Sequence, residues 1–118
     1  MYKQDIRMVQ QLRTDTEGTS AYSAKNLNTL QCVIKTYGQM LVRLSLKRPI
    51  LFENLYNVGL KEIFDHYTLL KKAKTATKRA LCYEDFLGYL RASLEDCNII
   101  MTDYKPLKSK KKALNPEI

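Results

Sequence analysis

Apolar residues recur at intervals of three and four along most of this chain, and this spacing constrains the fold more than any other feature. It places apolar side chains on one face of an α-helix, whereas a half-buried strand would alternate at every second residue. Glycine and proline, which interrupt helices, number only 4 and 3 in 118 residues. The sequence therefore predicts an all-α protein with long helices.

Four helical segments follow from the spacing. They span about residues 2–14, 23–47, 49–70, and a last segment that begins between residues 77 and 83 and ends near 104. Pro49 ends the second segment and suits the first turn of the third. Because such short connections make neighbouring helices antiparallel, we expect an antiparallel up-down bundle of three long helices plus an N-terminal helix. That first helix either packs as a fourth member or swaps between copies.

The third segment contains the apolar stripe that we expect to face the core, formed by Phe52, Leu55, Tyr56, Gly59, Ile63, Tyr67 and Leu70. Gly38 and Gly59 lie at matching distances on either side of the turn at Pro49. This symmetry predicts that the two glycines face each other where the second and third helices cross. Tolerated surface glycines are the alternative.

The formal net charge of +8 is distributed unevenly. Residues 71–82 contain five cations and no acid, and residues 105–118 contain five lysines and one glutamate. In the expected bundle the first cluster lies at one pole, and Lys47, Arg48 and the C-terminal lysines lie at the other. Clustered cations without acids between them favour contact with a nucleic-acid backbone, although solvated loops and tails are the alternative.

The residues predicted to contact nucleic acid are Lys47, Arg48, Lys71, Lys72, Lys74, Lys78, Arg79, Lys105, Lys108, Lys110, Lys111 and Lys112. We expect residues 1–104 to form the helical domain. We expect residues 105–118 to form a basic, flexible tail, because its composition cannot bury enough apolar surface to order it.

Two of the eight tyrosines, Tyr22 and Tyr89, lie off the apolar stripes. An exposed tyrosine can stack on a base or anchor a protein interface. Because neither residue lies within a basic cluster, we favour an interface with a larger protein partner or a second copy of the chain.

Few residues in this chain suggest catalysis or metal binding. His66 is the only histidine, and Cys32, Cys82 and Cys97 are too widely spaced to resemble a zinc site. The first residues contain no long apolar run, and no segment approaches the length of a membrane span. We therefore predict a non-enzymatic protein without metal or cofactor, whose thiols are free and buried in a reducing cytoplasm and which does not enter a membrane.

One family shares the layout from Tyr37 onward. The segment "YGQMLVRLSLKRPILFENLYNVGLKEIFDHY", a lysine-rich turn and the segment "FLGYLRASLEDCNII" resemble the small four-helix-bundle proteins that include the accessory protein of diversity-generating retroelements. The matching positions are Tyr37, Pro49, Leu90, Arg91 and Leu94. The chain adds an N-terminal helix and lacks the family's final helix. The resemblance implies a basic scaffold that binds nucleic acid and a polymerase-type partner.

Two functions are consistent with these observations. The first is a basic helical protein that binds the nucleic-acid backbone, as an accessory subunit of a replication or retroelement polymerase complex. The second is a protein-interaction module, a regulator or inhibitor, whose basic poles dock on an acidic partner surface.

Overall fold

A computed structural model of the protein describes residues 2–103, and within them it contains helices and no β-strand. The helices are α1 (Lys3–Glu17), α2 (Ala24–Lys47), α3 (Pro49–Asn54), α4 (Leu60–Lys72) and α5 (Ala76–Asp103). A π-helical turn at Leu55–Gly59 joins α3 to α4, so that the two continue as one long helix. The all-α fold with three long helices and an N-terminal helix is confirmed. The predicted tail, residues 105–118, lies outside the described residues.

Local hydrogen bonds explain where the helices begin. The Ser23 hydroxyl accepts a hydrogen bond from the Asn26 amide at 3.0 Å and caps the start of α2. Pro49 occupies the first turn of α3, where its missing N–H has no cost. The Thr75 hydroxyl accepts from the Lys78 amide at 3.1 Å, and for this reason α5 begins at Ala76, slightly earlier than its apolar stripe predicts.

The N-terminal helix packs as a fourth member of the bundle. Its buried Val9 and Leu12 belong to the common core. Three polar contacts fix its register on α5: Gln10 with Asn98 at 3.1 Å, Arg13 with Glu95 at 2.6 Å, and Arg91 with the Thr16 carbonyl at 2.5 Å. As the residue number rises along α1, the number of its partner in α5 falls. The two helices are therefore antiparallel. Since exposed ion pairs contribute at most about 1 kcal/mol, the apolar contacts hold α1 in place.

A buried polar contact crosses the core from α2 to α5. The Tyr37 hydroxyl donates a hydrogen bond to the Ser93 carbonyl at 2.9 Å and lies 2.7 Å from the Ser93 hydroxyl. Tyr37 and Cys97 are both fully buried. A buried hydroxyl needs such partners, because an unsatisfied one costs about 1–3 kcal/mol. The contact ties two helices that are far apart in sequence.

The predicted stripe of the third long helix is wrong at two positions. Tyr56 is 38% exposed, and Leu60 takes a place in the core with 7% of its surface exposed. The buried positions Leu55 and Leu60 are five residues apart, a step that a regular α-helix would rotate away from the core. The π-helical turn accommodates this step, because its hydrogen bonds span five residues.

The predicted pairing of Gly38 and Gly59 is also wrong. A Cβ atom built on Gly38 would meet nothing within 4 Å, whereas one on Gly59 would lie 3.3 Å from the Ser93 hydroxyl on α5. The prediction assumed an unbroken α-helix after Pro49, and the π-helical turn changes the direction in which Gly59 faces. Gly59 therefore permits a close approach to α5 rather than to α2.

Replacing glycine by alanine should change the free energy of unfolding differently at an open helical position and at a position in close contact with another helix. In an open helical position the change stabilises by up to about 1 kcal/mol. We expect this gain for Gly88→Ala, because a Cβ on Gly88 meets nothing within 4 Å. We expect no gain for Gly59→Ala, because the new methyl group presses on Ser93 and its hydrogen bond to Tyr37. Denaturant unfolding of both variants measures the difference, and equal gains would contradict the close approach.

Within residues 2–103 no helix combines the length and the apolar character that crossing a bilayer requires.

Candidate nucleic-acid interface

The turn between α4 and α5 carries the predicted basic cluster. Lys71 and Lys72 lie in the last turn of α4, where cations interact favourably with the helix dipole. Lys78 and Arg79 lie at the start of α5, which has no acid in its first turn. Cations at a helix N-terminus oppose the dipole and cost roughly 0.3–1 kcal/mol each. Helix stability therefore explains the first pair of cations and does not explain the second.

A groove opens at this turn. Its volume is about 550 Å³, and its walls combine apolar groups with lysines: Leu69, Lys72, Ala73, Lys74, Thr75, Lys78 and Cys82. Leu69 is 54% exposed, and all three lysines are exposed. Lysine stems can lie along apolar surface while their ammonium groups stay in water. The groove thus has an apolar floor (Leu69, Ala73 and Cys82) and a lysine rim (Lys72, Lys74 and Lys78).

The lysine rim has no acidic partner in the part of the chain that the structure describes. The ion pairs there join Arg13 to Glu95, Arg43 to Asp5, and Lys61 to Asp65. Two other predicted cations have contacts within the chain. The Lys71 ammonium lies 5.2 Å from the centre of the Tyr67 ring, and Arg79 Nε donates to the Ala73 carbonyl at 3.4 Å. Arg79 therefore stabilises the turn through its hydrogen bond to Ala73. The rim lysines are available to a ligand.

The structure does not bring Lys47 and Arg48 close to the basic turn. They lie between α2 and α3 at the opposite pole, about 36 Å away along the length of α2. Lys47 is exposed and Arg48 is half-buried. The neighbouring Leu46 and Ile50 are 80% and 97% exposed. The two poles are separate, as predicted. The C-terminal lysines, Lys105, Lys108, Lys110, Lys111 and Lys112, lie outside the described residues.

The two tyrosines predicted for a partner interface are each 41% exposed. Both also contact rings of their own chain, which the sequence did not reveal. Tyr22 packs edge to face on Tyr83 with ring centres 5.4 Å apart. Tyr89 stacks on His66 at 4.2 Å. Each ring thus has only part of its surface left for a partner.

His66 contacts the Glu62 carbonyl of its own helix and the stacked ring of Tyr89 on α5. Its Nδ1 lies 2.9 Å from the Glu62 carbonyl, and since that oxygen can only accept, Nδ1 carries the proton. The adjacent Asp65 turns away and pairs with Lys61 at 2.9 Å. In residues 2–103 no three histidine, cysteine, aspartate or glutamate side chains converge as metal ligands would. The groove at the basic turn is therefore the strongest candidate site.

Sequence reasoning found the lysines of this groove and missed its apolar floor. Leu69 and Leu70 are adjacent apolar residues, and elsewhere in the chain both members of such a pair are buried, as at Met40 and Leu41. Here Leu70 is buried at 2% exposure and Leu69 lies outside the core, a difference that the sequence pattern did not indicate.

No protein-family model matches the chain, and searches of curated proteins and of solved structures found no similar protein.

Proposed function

We propose that this protein binds nucleic acid through the phosphate backbone and that it does so without enzymatic activity. The rim lysines Lys72, Lys74 and Lys78 are the principal contacts, and the C-terminal lysines add to them. The observation that carries the proposal is the lysine rim, which has no acidic partner among residues 2–103. Part of this rim lies at a helix N-terminus, where cations are unfavourable. A phosphate backbone would relieve both the mutual repulsion of these cations and their conflict with the helix dipole.

The residue types support backbone contact rather than recognition of base sequence. Lysine is a compact point charge without the planar fork that arginine uses on guanine. None of the described residues that line the groove carries an aromatic ring, so base stacking is not part of the proposal. Binding should therefore depend on charge and salt, with little dependence on base sequence.

The cellular role is a further part of the proposal. Cys32, Cys82 and Cys97 are free thiols, but the prediction that they are buried is wrong for Cys32, which is exposed. An exposed free thiol supports a reducing compartment such as the cytoplasm. An accessory role beside a replication or retroelement polymerase rests on the sequence resemblance alone.

Titration of labelled single-stranded DNA, duplex DNA and single-stranded RNA with the full chain tests the proposal. We expect the logarithm of the association constant to fall linearly with the logarithm of salt concentration, by about 0.7–0.9 per phosphate contact. Probes of equal length and different sequence should bind almost equally. Absence of binding at low salt, or affinity that does not respond to salt, would contradict it.

Removing residues 105–118 should weaken binding about equally for all sequences. The tail contributes five lysines, and for each phosphate that they neutralise, truncation should flatten the salt dependence by a log–log slope of about 0.7–0.9. The truncated and full chains are compared in the same titration. Unchanged affinity and slope would mean that the tail only maintains solubility, and the proposal would then depend on the rim lysines alone.

A further inference from the structure

Phosphate contact leaves the apolar floor of the groove unexplained. Leu69 is 54% exposed, whereas the adjacent Leu70 is buried in the core. Leu69, Ala73 and Cys82 meet in one depression rather than lying scattered on the surface. Exposed apolar groups that cluster inside a polar rim are typical of sites where a protein partner binds.

The lysine rim constrains what the floor can accept. Lys72, Lys74 and Lys78 come from the end of α4, the connecting turn and the first turn of α5, so cations from three successive segments line the groove together with the floor. A ligand with one carboxylate would leave part of this positive charge uncompensated, even if its two oxygens bridged two of the lysines. Several carboxylates distributed around an apolar side chain would match the whole rim. An acidic amphipathic helix has this arrangement, because its residues three and four positions apart share one face.

We propose that the groove is a docking site for an acidic amphipathic segment of a partner protein. An apolar side chain of that segment packs on Leu69, Ala73 and Cys82, and its carboxylates pair with Lys72, Lys74 and Lys78. The same lysines serve the proposed nucleic-acid contact, so the two ligands exclude each other. Docking stands independently of the nucleic-acid proposal, and only the competition rests on it.

A second copy of the chain does not fit the groove in a symmetric dimer. A two-fold contact of groove on groove would bring the two lysine rims together. Like charges that face each other across an interface lower the affinity by roughly 100-fold or more. Charge complementarity therefore favours an acidic partner over self-association.

The test uses a labelled helical peptide with leucines on one face and glutamates on both flanks of that face. In the full chain, Leu69→Gln should weaken peptide binding about tenfold, because it removes apolar contact area. The same variant should change the affinity for a single-stranded oligonucleotide far less than the affinity for the peptide, because phosphate contact uses the rim lysines, which the variant keeps. Leu81→Gln is the matched control, because Leu81 is 59% exposed on α5 and does not line the groove. Circular dichroism confirms that both variants stay folded.

Two altered peptides test the two features that the proposal requires of the ligand. Replacing its glutamates by glutamines, or its leucines by serines, should abolish binding in each case, since the proposal requires both features. The unlabelled oligonucleotide should displace the peptide. If the oligonucleotide fails to bind but Leu69→Gln still weakens the peptide, docking is supported and the nucleic-acid function is refuted.

Other results would overturn the docking proposal. Equal effects of Leu69→Gln and Leu81→Gln would show that the floor takes no part. Displacement of the peptide by laurate at matched carboxylate concentration would reassign the groove to anionic lipids. Self-association that Leu69→Gln abolishes would reassign it to a second copy. Simultaneous binding of peptide and oligonucleotide would refute the shared use of the lysines.

Discussion

Replacing Lys72, Lys74 and Lys78 together by glutamine should lower the affinity for nucleic acid roughly 100-fold or more near 0.1 M salt. Each phosphate contact contributes about 0.9 to the logarithm of the association constant for every tenfold dilution of salt. Without the three rim lysines, the slope of the salt dependence should therefore also fall by about 2–3. Glutamine keeps the helical propensity and most of the side-chain length, so the variant removes charge and little else.

A charge-matched variant controls for the change in net charge. Replacing Lys3, Lys35 and Lys61 by glutamine removes the same three charges from exposed positions outside the groove. We expect this control to lose affinity only slightly through the weaker overall field. Salt titrations of both variants with one single-stranded probe distinguish the two cases. An equal loss in both would mean that net charge attracts nucleic acid and that the groove is not its site.

Raising the pH should destabilise the protein steeply above pH 9. Burial raises the pKa of the Cys97 thiol from its ordinary value of 9.0 to about 12. Burial likewise raises the pKa of the neighbouring Tyr37 hydroxyl far above its ordinary value of 10.0. Both groups are neutral when protonated, so between these values the unfolded chain has released a proton that the folded chain retains.

The sign of the effect follows from this difference in bound protons. The stabilisation is complete below pH 9.0, the ordinary pKa of the thiol, and disappears as the pH rises through the folded value of about 12. Each group lowers the free energy of unfolding by about 1.4 kcal/mol per pH unit across its window. By about pH 10.5 the Cys97 thiol alone should account for a loss of about 2 kcal/mol.

Urea unfolding at a series of pH values measures this dependence. Cys97→Ala should flatten the decline above pH 9, whatever its effect at neutral pH. Cys32→Ala, at an exposed position, is the control for removing a thiol as such. A Cys97→Ala variant with the same alkaline slope as the original protein would refute the assignment.

The helices could be predicted from the sequence because the spacing of apolar residues reports a buried face directly. Val9, Ile34 and Leu90 follow the regular three-and-four pattern, and all are buried. The prediction failed at Tyr56 and Gly59, because it assumed the same rotation per residue throughout the third long helix. A local change in hydrogen bonding altered that rotation, and no single residue type signals such a change.

The candidate site could be predicted only in part, for a different reason. The charge of Lys72 or Lys78 does not depend on the fold, so the basic cluster is visible in the sequence. The apolar floor exists only once the end of α4 meets the start of α5, which brings Leu69 and Cys82 together. The exposure of Tyr22 and Tyr89 was predicted correctly, but their ring partners depend on the same kind of tertiary contact.

The π-helical turn also has a consequence for changes in chain length. Deleting one residue from a helix ordinarily rotates every later side chain by about 100° away from its packing partner. Between Leu55 and Leu60 the chain contains exposed Tyr56, Asn57 and Val58. Loss of one of these three would leave the two buried leucines four positions apart, a spacing that a regular α-helix places on one face. The third long helix therefore has a position at which a single-residue deletion is compatible with the buried faces on both sides.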